Sequence, residues 1–78
     1  MSNYKMNIFG EIKLSDYSYI HDYMAIVEPE DNFQIELNNV NEEDEKVICS
    51  ILYNDKFDIL DKDNPTQGEY SIRVVKKK

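Results

Sequence analysis

Asn41-Glu42-Glu43-Asp44-Glu45-Lys46-Val47-Ile48-Cys49-Ser50-Ile51-Leu52-Tyr53 is the stretch on which the fold turns, because four consecutive acids run straight into the densest apolar segment of the chain. Read as a helix it is coherent. Asn41 is a natural N-cap, and Glu42, Glu43 and Asp44 fall in the first turn, where the helix dipole favours negative charge. Val47, Ile48, Ile51 and Leu52 then share one helical face, and Asn54 is a plausible stop. The competing reading is a strand from Val47 to Tyr53, turned at Asn54-Asp55 into a hairpin with Phe57–Leu60, since β-branched and aromatic residues suit a pleated surface. Cap, first-turn acids and apolar period agree on the helix.

Outward from this stretch the signals are shorter. Lys5 to Leu14 alternates, with Met6, Ile8, Ile12 and Leu14 on one face, which predicts a strand. Phe9-Gly10 breaks the alternation and predicts a bulge or a close backbone approach. Ser15 to about Ala25 opens like a helix at Ser15-Asp16, and Tyr17, Ile20, Met24 and Val27 share a helical face, but its tyrosines and serines are mediocre helix formers. A short helix giving way to a strand near Tyr23 is expected, followed by a hairpin in which Met24–Glu28 pairs with Phe33–Leu37 across Pro29-Glu30-Asp31-Asn32. Phe57–Leu60 is a short strand, Asp61–Gly68 a loop, and Tyr70, Ile72 and Val74 mark a last strand.

The sum is one domain over residues 1–78: an α+β fold, a mostly antiparallel sheet of four or five strands with one or two short helices on one face. If Val47–Tyr53 is a strand, the alternative is an all-β curled sheet or small barrel.

At 78 residues with 41% hydrophobic and 12% aromatic content, the chain has enough apolar material for one core and no more. The formal charge of −7 is unevenly placed. All sixteen acids lie between Glu11 and Glu69 against four lysines, a window charge of −12, while Lys5, Arg73 and Lys76–Lys78 flank it. Such a body repels nucleic acid and anionic membrane and attracts basic protein surfaces. One cysteine, Cys49, excludes an intrachain disulfide, and no apolar run resembles a signal peptide or a membrane span, so a cytoplasmic protein is expected. Heavy use of Asn, Ile, Lys and Tyr, with A/T-rich codons, points to a low-GC bacterium or one of its phages or mobile elements.

No catalytic motif is present. Cys49 and His21 could in principle form a thiolate pair, but neither sits in a motif and Cys49 lies within the apolar run, where a buried inert thiol is the simpler reading. One Cys and one His cannot build the usual zinc site. Asp58, Asp61 and Asp63 fail as a calcium loop, because Pro65 and Thr66 stand where ligand and glycine belong and Ile72 where the bidentate Glu should be. Only Gly10 and Gly68 are available, too few for a phosphate cradle. The reading is of a protein that is not an enzyme and takes no cofactor or metal.

What remains is surface. Glu28, Glu30 and Asp31 in one cluster, Glu42, Glu43, Asp44 and Glu45 in another, and Tyr53 are the candidate partner-binding residues, because carboxylates steer encounter with a basic partner and an exposed tyrosine supplies area at little entropy. In size, charge and these two clusters the chain resembles the small acidic inhibitors of phages and mobile elements, namely anti-restriction, anti-CRISPR and uracil-glycosylase-inhibitor proteins. That resemblance implies a non-catalytic inhibitor whose carboxylates imitate DNA phosphates in the basic groove of a nucleic-acid-handling protein, without touching nucleic acid itself. The alternative is a structural or self-assembling module, or a toxin-immunity partner, in which an apolar, tyrosine-rich surface makes the contact. Of the six tyrosines (Tyr4, Tyr17, Tyr19, Tyr23, Tyr53 and Tyr70), not all can be buried in so small a core.

Overall fold

Leading from the N-terminus, the computed structural model describes residues 2–78 and forms β1 (Asn3–Phe9), α1 (Leu14–Ile26), β2 (Asn32–Asn38), α2 (Glu42–Asn54), β3 (Phe57–Asp63) and β4 (Tyr70–Lys76). The decisive stretch is the helix its cap announces. The Asn41 side chain accepts the Asp44 N–H at 2.8 Å, all four acids lie in the first turn, and Lys56, with φ of +66°, turns the chain out after Asp55. The buried face is rotated from the expected one. Glu45, Ile48 and Leu52 face inward, Ile51 and Cys49 are half-buried, and Val47 is exposed. A carboxylate therefore occupies a core-facing position that apolar periodicity had assigned to Val47.

The segment from Gly10 to Glu28 departs most from expectation. β1 stops at Phe9, because Gly10 takes φ of +73° while its N–H still reaches the Asn38 carbonyl at 2.8 Å. A Cβ at Gly10 would meet nothing within 4 Å, so the glycine is there for its positive φ and not to make room for a neighbour. Leu14 is accordingly out in solvent, not on a strand face. Helix α1 begins with the Asp16 carboxylate accepting the Lys13 N–H at 2.9 Å and runs thirteen residues, through the tyrosines and past Tyr23. Ile20, Met24 and Val27 hold the helical period against the core. The expected strand at Met24–Glu28 and its hairpin do not form. Pro29 restricts Glu28 to extended backbone, so the helix ends just before it. The turn at Glu28–Asp31 is real, closed by the Asp31 N–H to the Glu28 carbonyl at 2.9 Å.

With α1 between them, β1 and β2 pair in parallel, Asn3 against Asn32 through Phe9 against Asn38. The sheet order is β1-β2-β4-β3, and β4 is antiparallel to both β2 and β3. Strands β1, β2 and β3 thus run the same way, and α1 and α2 are crossovers that step across the sheet in the same direction. A common handedness places both on one face. This is the expected α+β domain, with four strands in an open sheet, and it is not a closed barrel.

One face of the sheet is consequently core and the other is bare. Met6 and Ile8, Phe33, Ile35 and Leu37, and Ile72 and Val74 alternate inward and pack with Ile20, Met24, Val27, Ile48 and Leu52. Tyr23 stacks on Phe33 at 5.4 Å between centroids, and Phe33 meets Phe57 edge-on at 6.4 Å. Tyr4, Tyr17, Tyr23 and Tyr70 pad this core, whereas Tyr19 and Tyr53 are exposed. Among the described residues no helix is long and apolar enough to cross a membrane.

Candidate functional site

Both helices run antiparallel to the strands they connect, so their N-termini share a pole with the carboxyl ends of β1 and β2. Each N-terminus carries partial positive charge, and each is answered by acids: Asp16 on α1, and Glu42, Glu43 and Asp44 on α2. Glu11 follows β1 at this same pole, and Glu69 follows the β3–β4 loop. The acidity of the chain is concentrated here by topology. Its effect reaches inward to Tyr17, whose phenol is pushed up by burial and then by the charges of Asp44 and Asp16.

An open groove of about 1110 Å³ crosses this pole. One wall is Asn39–Glu42, the other is Asn64–Gly68, and Glu11 closes one side. The walls are tied together. The Val40 N–H donates to the Gly68 carbonyl at 2.9 Å, and Gly68 is required by its φ of +86°, since a Cβ there would only reach ordinary contact with Asn39 Cα at 3.5 Å. Asn64 braces the loop through Nδ2, which donates to the Thr66 carbonyl at 2.8 Å and the Glu69 carbonyl at 2.6 Å.

The groove floor contains the one acid of α2 that turned inward. Glu45 is 2% exposed, and its carboxylate accepts from Lys62 Nζ at 3.2 and 3.5 Å and from the Cys49 thiol at 2.9 Å. Lys62 reaches it because, past a bulge between Ile59 and Asp61, Lys62 pairs with Ile72 and so shares the inward face of the sheet. Burial alone would lower the Lys62 ammonium, but its hydrogen bond to Glu45 and that carboxylate's charge outweigh this and raise it. Cys49 is pushed up to about 12 by burial, then by hydrogen bonding and charge from Glu45, with Lys62 opposing. At neutral pH it is a thiol, and a thiol is a poor nucleophile. His21, on α1, lies beside the C-terminal end of α2, with Nδ1 at 3.7 Å from Asp55, and makes no contact with Cys49.

The eight expected site residues do not form one surface. Glu42, Glu43 and Asp44 stay together at the acidic pole, with Lys46 pairing Glu42 at 3.3 Å. Glu45 is internal. Glu28 and Glu30 lie at the opposite pole, separated from α2's start by the seven residues of β2, roughly 23 Å at the usual strand rise. Asp31, also there, is 6% exposed and structural: Oδ1 accepts the Ser2 N–H at 2.7 Å and Oδ2 the Glu28 N–H at 3.0 Å. These two backbone donors hold its carboxyl below the ordinary value. Tyr53, at the far end of α2, is 69% exposed beneath Lys77 Nζ at 5.4 Å, and Lys77 in turn pairs with Asp58 at 3.4 Å. Charge at that pole is mixed, because Lys56 and the Lys76–Lys78 tail gather there.

Sequence reasoning missed Glu11 and the amide-bearing walls, Asn39, Asn41, Asn64 and Gln67. The signal available was the density of Asn around positions 38–41 together with the left-handed tolerance of Asn39, which adopts φ of +59°. Chemically, a groove lined by carboxylates and amides over a neutralised floor offers acceptors to ammonium or guanidinium groups. In comparisons with family models, with curated proteins and with solved structures, none matches this chain.

Proposed function

We propose that the chain is a non-catalytic binding protein that presents its acidic pole to the basic groove of a nucleic-acid-handling protein and excludes nucleic acid by competition. It is read as an inhibitor of the kind carried by phages and mobile elements, acting inside a bacterial or infected cell. The observation that carries this reading is the Glu42-Glu43-Asp44 cluster on a capped helix, with Glu42 and Glu43 exposed, Glu42 lining the groove together with Glu11, and Lys46 the single cation paired to the cluster among the described residues. A rigid frame matters because fixed charges need not be reordered when a partner binds.

The test is capture of basic proteins from lysate of a low-GC bacterium, followed by a nucleic-acid competition assay on the captured protein. Triple neutralisation, E42Q/E43Q/D44N, avoids setting lysines against the helix dipole and leaves Glu45 in place. Binding that weakens at least tenfold in this variant, and steeply between low and high salt, supports the reading. Binding indifferent to both, or captured protein that still holds its nucleic acid, refutes it.

A further inference from the structure

The free edge of β1 is the least protected part of the molecule. The far edge, β3, carries the bulge at Leu60 together with Asp58, Asp61, Lys62 and Asp63, the devices that discourage strand pairing. By contrast β1 is seven unbroken residues with no proline, no bulge and a single charge, Lys5.

Its hydrogen-bonding register is fixed by two contacts. The Ser2 carbonyl accepts from Asn32 and the Gly10 N–H donates to Asn38, so the even-numbered residues turn their backbone groups toward β2. Asn3, Lys5, Asn7 and Phe9 therefore direct an N–H and a C=O each toward the open edge.

Beside that edge runs apolar surface. Tyr23 of α1 meets Tyr4 of β1, with centroids 6.3 Å apart, while His21 on the opposite flank of α1 reaches Asp55 at the end of α2, so the flank bearing Tyr23 is the one turned toward the edge. Tyr19 and Ile26, one turn before and one after Tyr23, lie on the same side and are 59% and 56% exposed. Phe9, on the bare face, is 73% exposed.

We propose that β1 pairs antiparallel with β1 of a second copy of this chain, in a register centred on Met6, giving a continuous sheet across a twofold axis with Tyr19 and Ile26 packed against their counterparts. The self-complementarity of the strand selects this occupant. Centred on Met6, Asn3 faces Phe9 of the second copy and Lys5 faces Asn7, so every outward N–H meets an outward C=O. Centred on Lys5, the two ammonium groups would oppose each other. Centred on Asn7, Asn3 would fall outside the paired strand. The rings of Phe9 and Tyr19 from both copies carry roughly 500 Å² of exposed surface, about half the area at which a specific interface becomes stable, and the strand edges and Ile26 supply more. Because each copy carries −7, added salt strengthens this dimer, the opposite of its effect on docking at the acidic pole.

Sedimentation of the full chain from about 1 µM to about 1 mM, the span in which weak association registers, is expected to show mass rising from 9.3 kDa toward twice that value, more readily at high salt. Hydrogen exchange is expected to slow with concentration at the amides of Lys5, Asn7 and Phe9, while those of Tyr4, Met6 and Ile8 stay protected throughout. Asn7→Pro removes an N–H that is unpaired in the monomer, and Tyr19→Glu charges an exposed ring. Each is expected to weaken dimerisation at least tenfold with an unchanged circular dichroism spectrum. A monomer at every concentration overturns the proposal, as does a dimer that survives both substitutions, or β1 amides that gain protection only from an unrelated extended peptide.

Discussion

Glu45 shows how a single position can be misread from its neighbours. Within Glu42-Glu43-Asp44-Glu45 it looks like the fourth member of a solvated run, yet it stands three residues before Ile48 and seven before Leu52, on the buried face. Its position was legible in the period; its partner, Lys62, seventeen residues away, was not, because the β-bulge between Ile59 and Asp61 decides which side of β3 that lysine occupies. Removing the lysine strands a buried carboxylate. Lys62→Met is expected to destabilise by about 2–3 kcal/mol in denaturant unfolding, less than for a wholly buried pair because water reaches the lysine. The double variant Glu45→Leu/Lys62→Met is expected to recover most of that loss, since no charge is left unpaired. Asp31 makes the complementary case in acid. Its folded carboxyl titrates below the unfolded value, so its contribution is present above the unfolded pKa and disappears as pH falls through the lowered folded one. Asp31→Asn is expected to flatten the acid limb of a stability-against-pH curve below about pH 4, where unmodified aspartates titrate.

The two helices differ in how far local sequence specified them. Helix α2 was legible in extent though not in its buried face: Asn41 caps it, acids fill its first turn, and Asn41→Ala is expected to lower unfolding stability by about 1 kcal/mol with the helix otherwise intact, as read by denaturant melts. Helix α1 was plain only at its start. The period of Tyr17, Ile20, Met24 and Val27 runs past Tyr23, but mediocre helix formers weaken it, and what completes the helix is distant in sequence: Lys76 Nζ donates to the carbonyls of Met24 at 3.3 Å and Val27 at 3.2 Å, satisfying groups at the negative end of the helix dipole. Strands β2 and β4 were plain from alternation. The other neighbour of β2 was not, since replacing the expected hairpin strand by helix α1 leaves β2 parallel to β1 where an antiparallel partner was expected.

At the level of the molecule, composition foretold a negative body but not its polarity, which arises only when two crossover helices direct their N-termini the same way. The separation of Glu28 and Glu30 from Glu42–Asp44 follows from the same topology. Strand β4 carries a further consequence. It holds the middle of the sheet, between β2 and β3, although it is the last of the six elements to be made. While a ribosome extends this polypeptide, β2 emerges with one flank vacant and β3 emerges with no strand to pair with, so the sheet stays in two pieces until the last strand is made. Maturation waits for Tyr70–Lys76, and a message truncated upstream of that segment yields a substrate for proteases in place of a smaller domain.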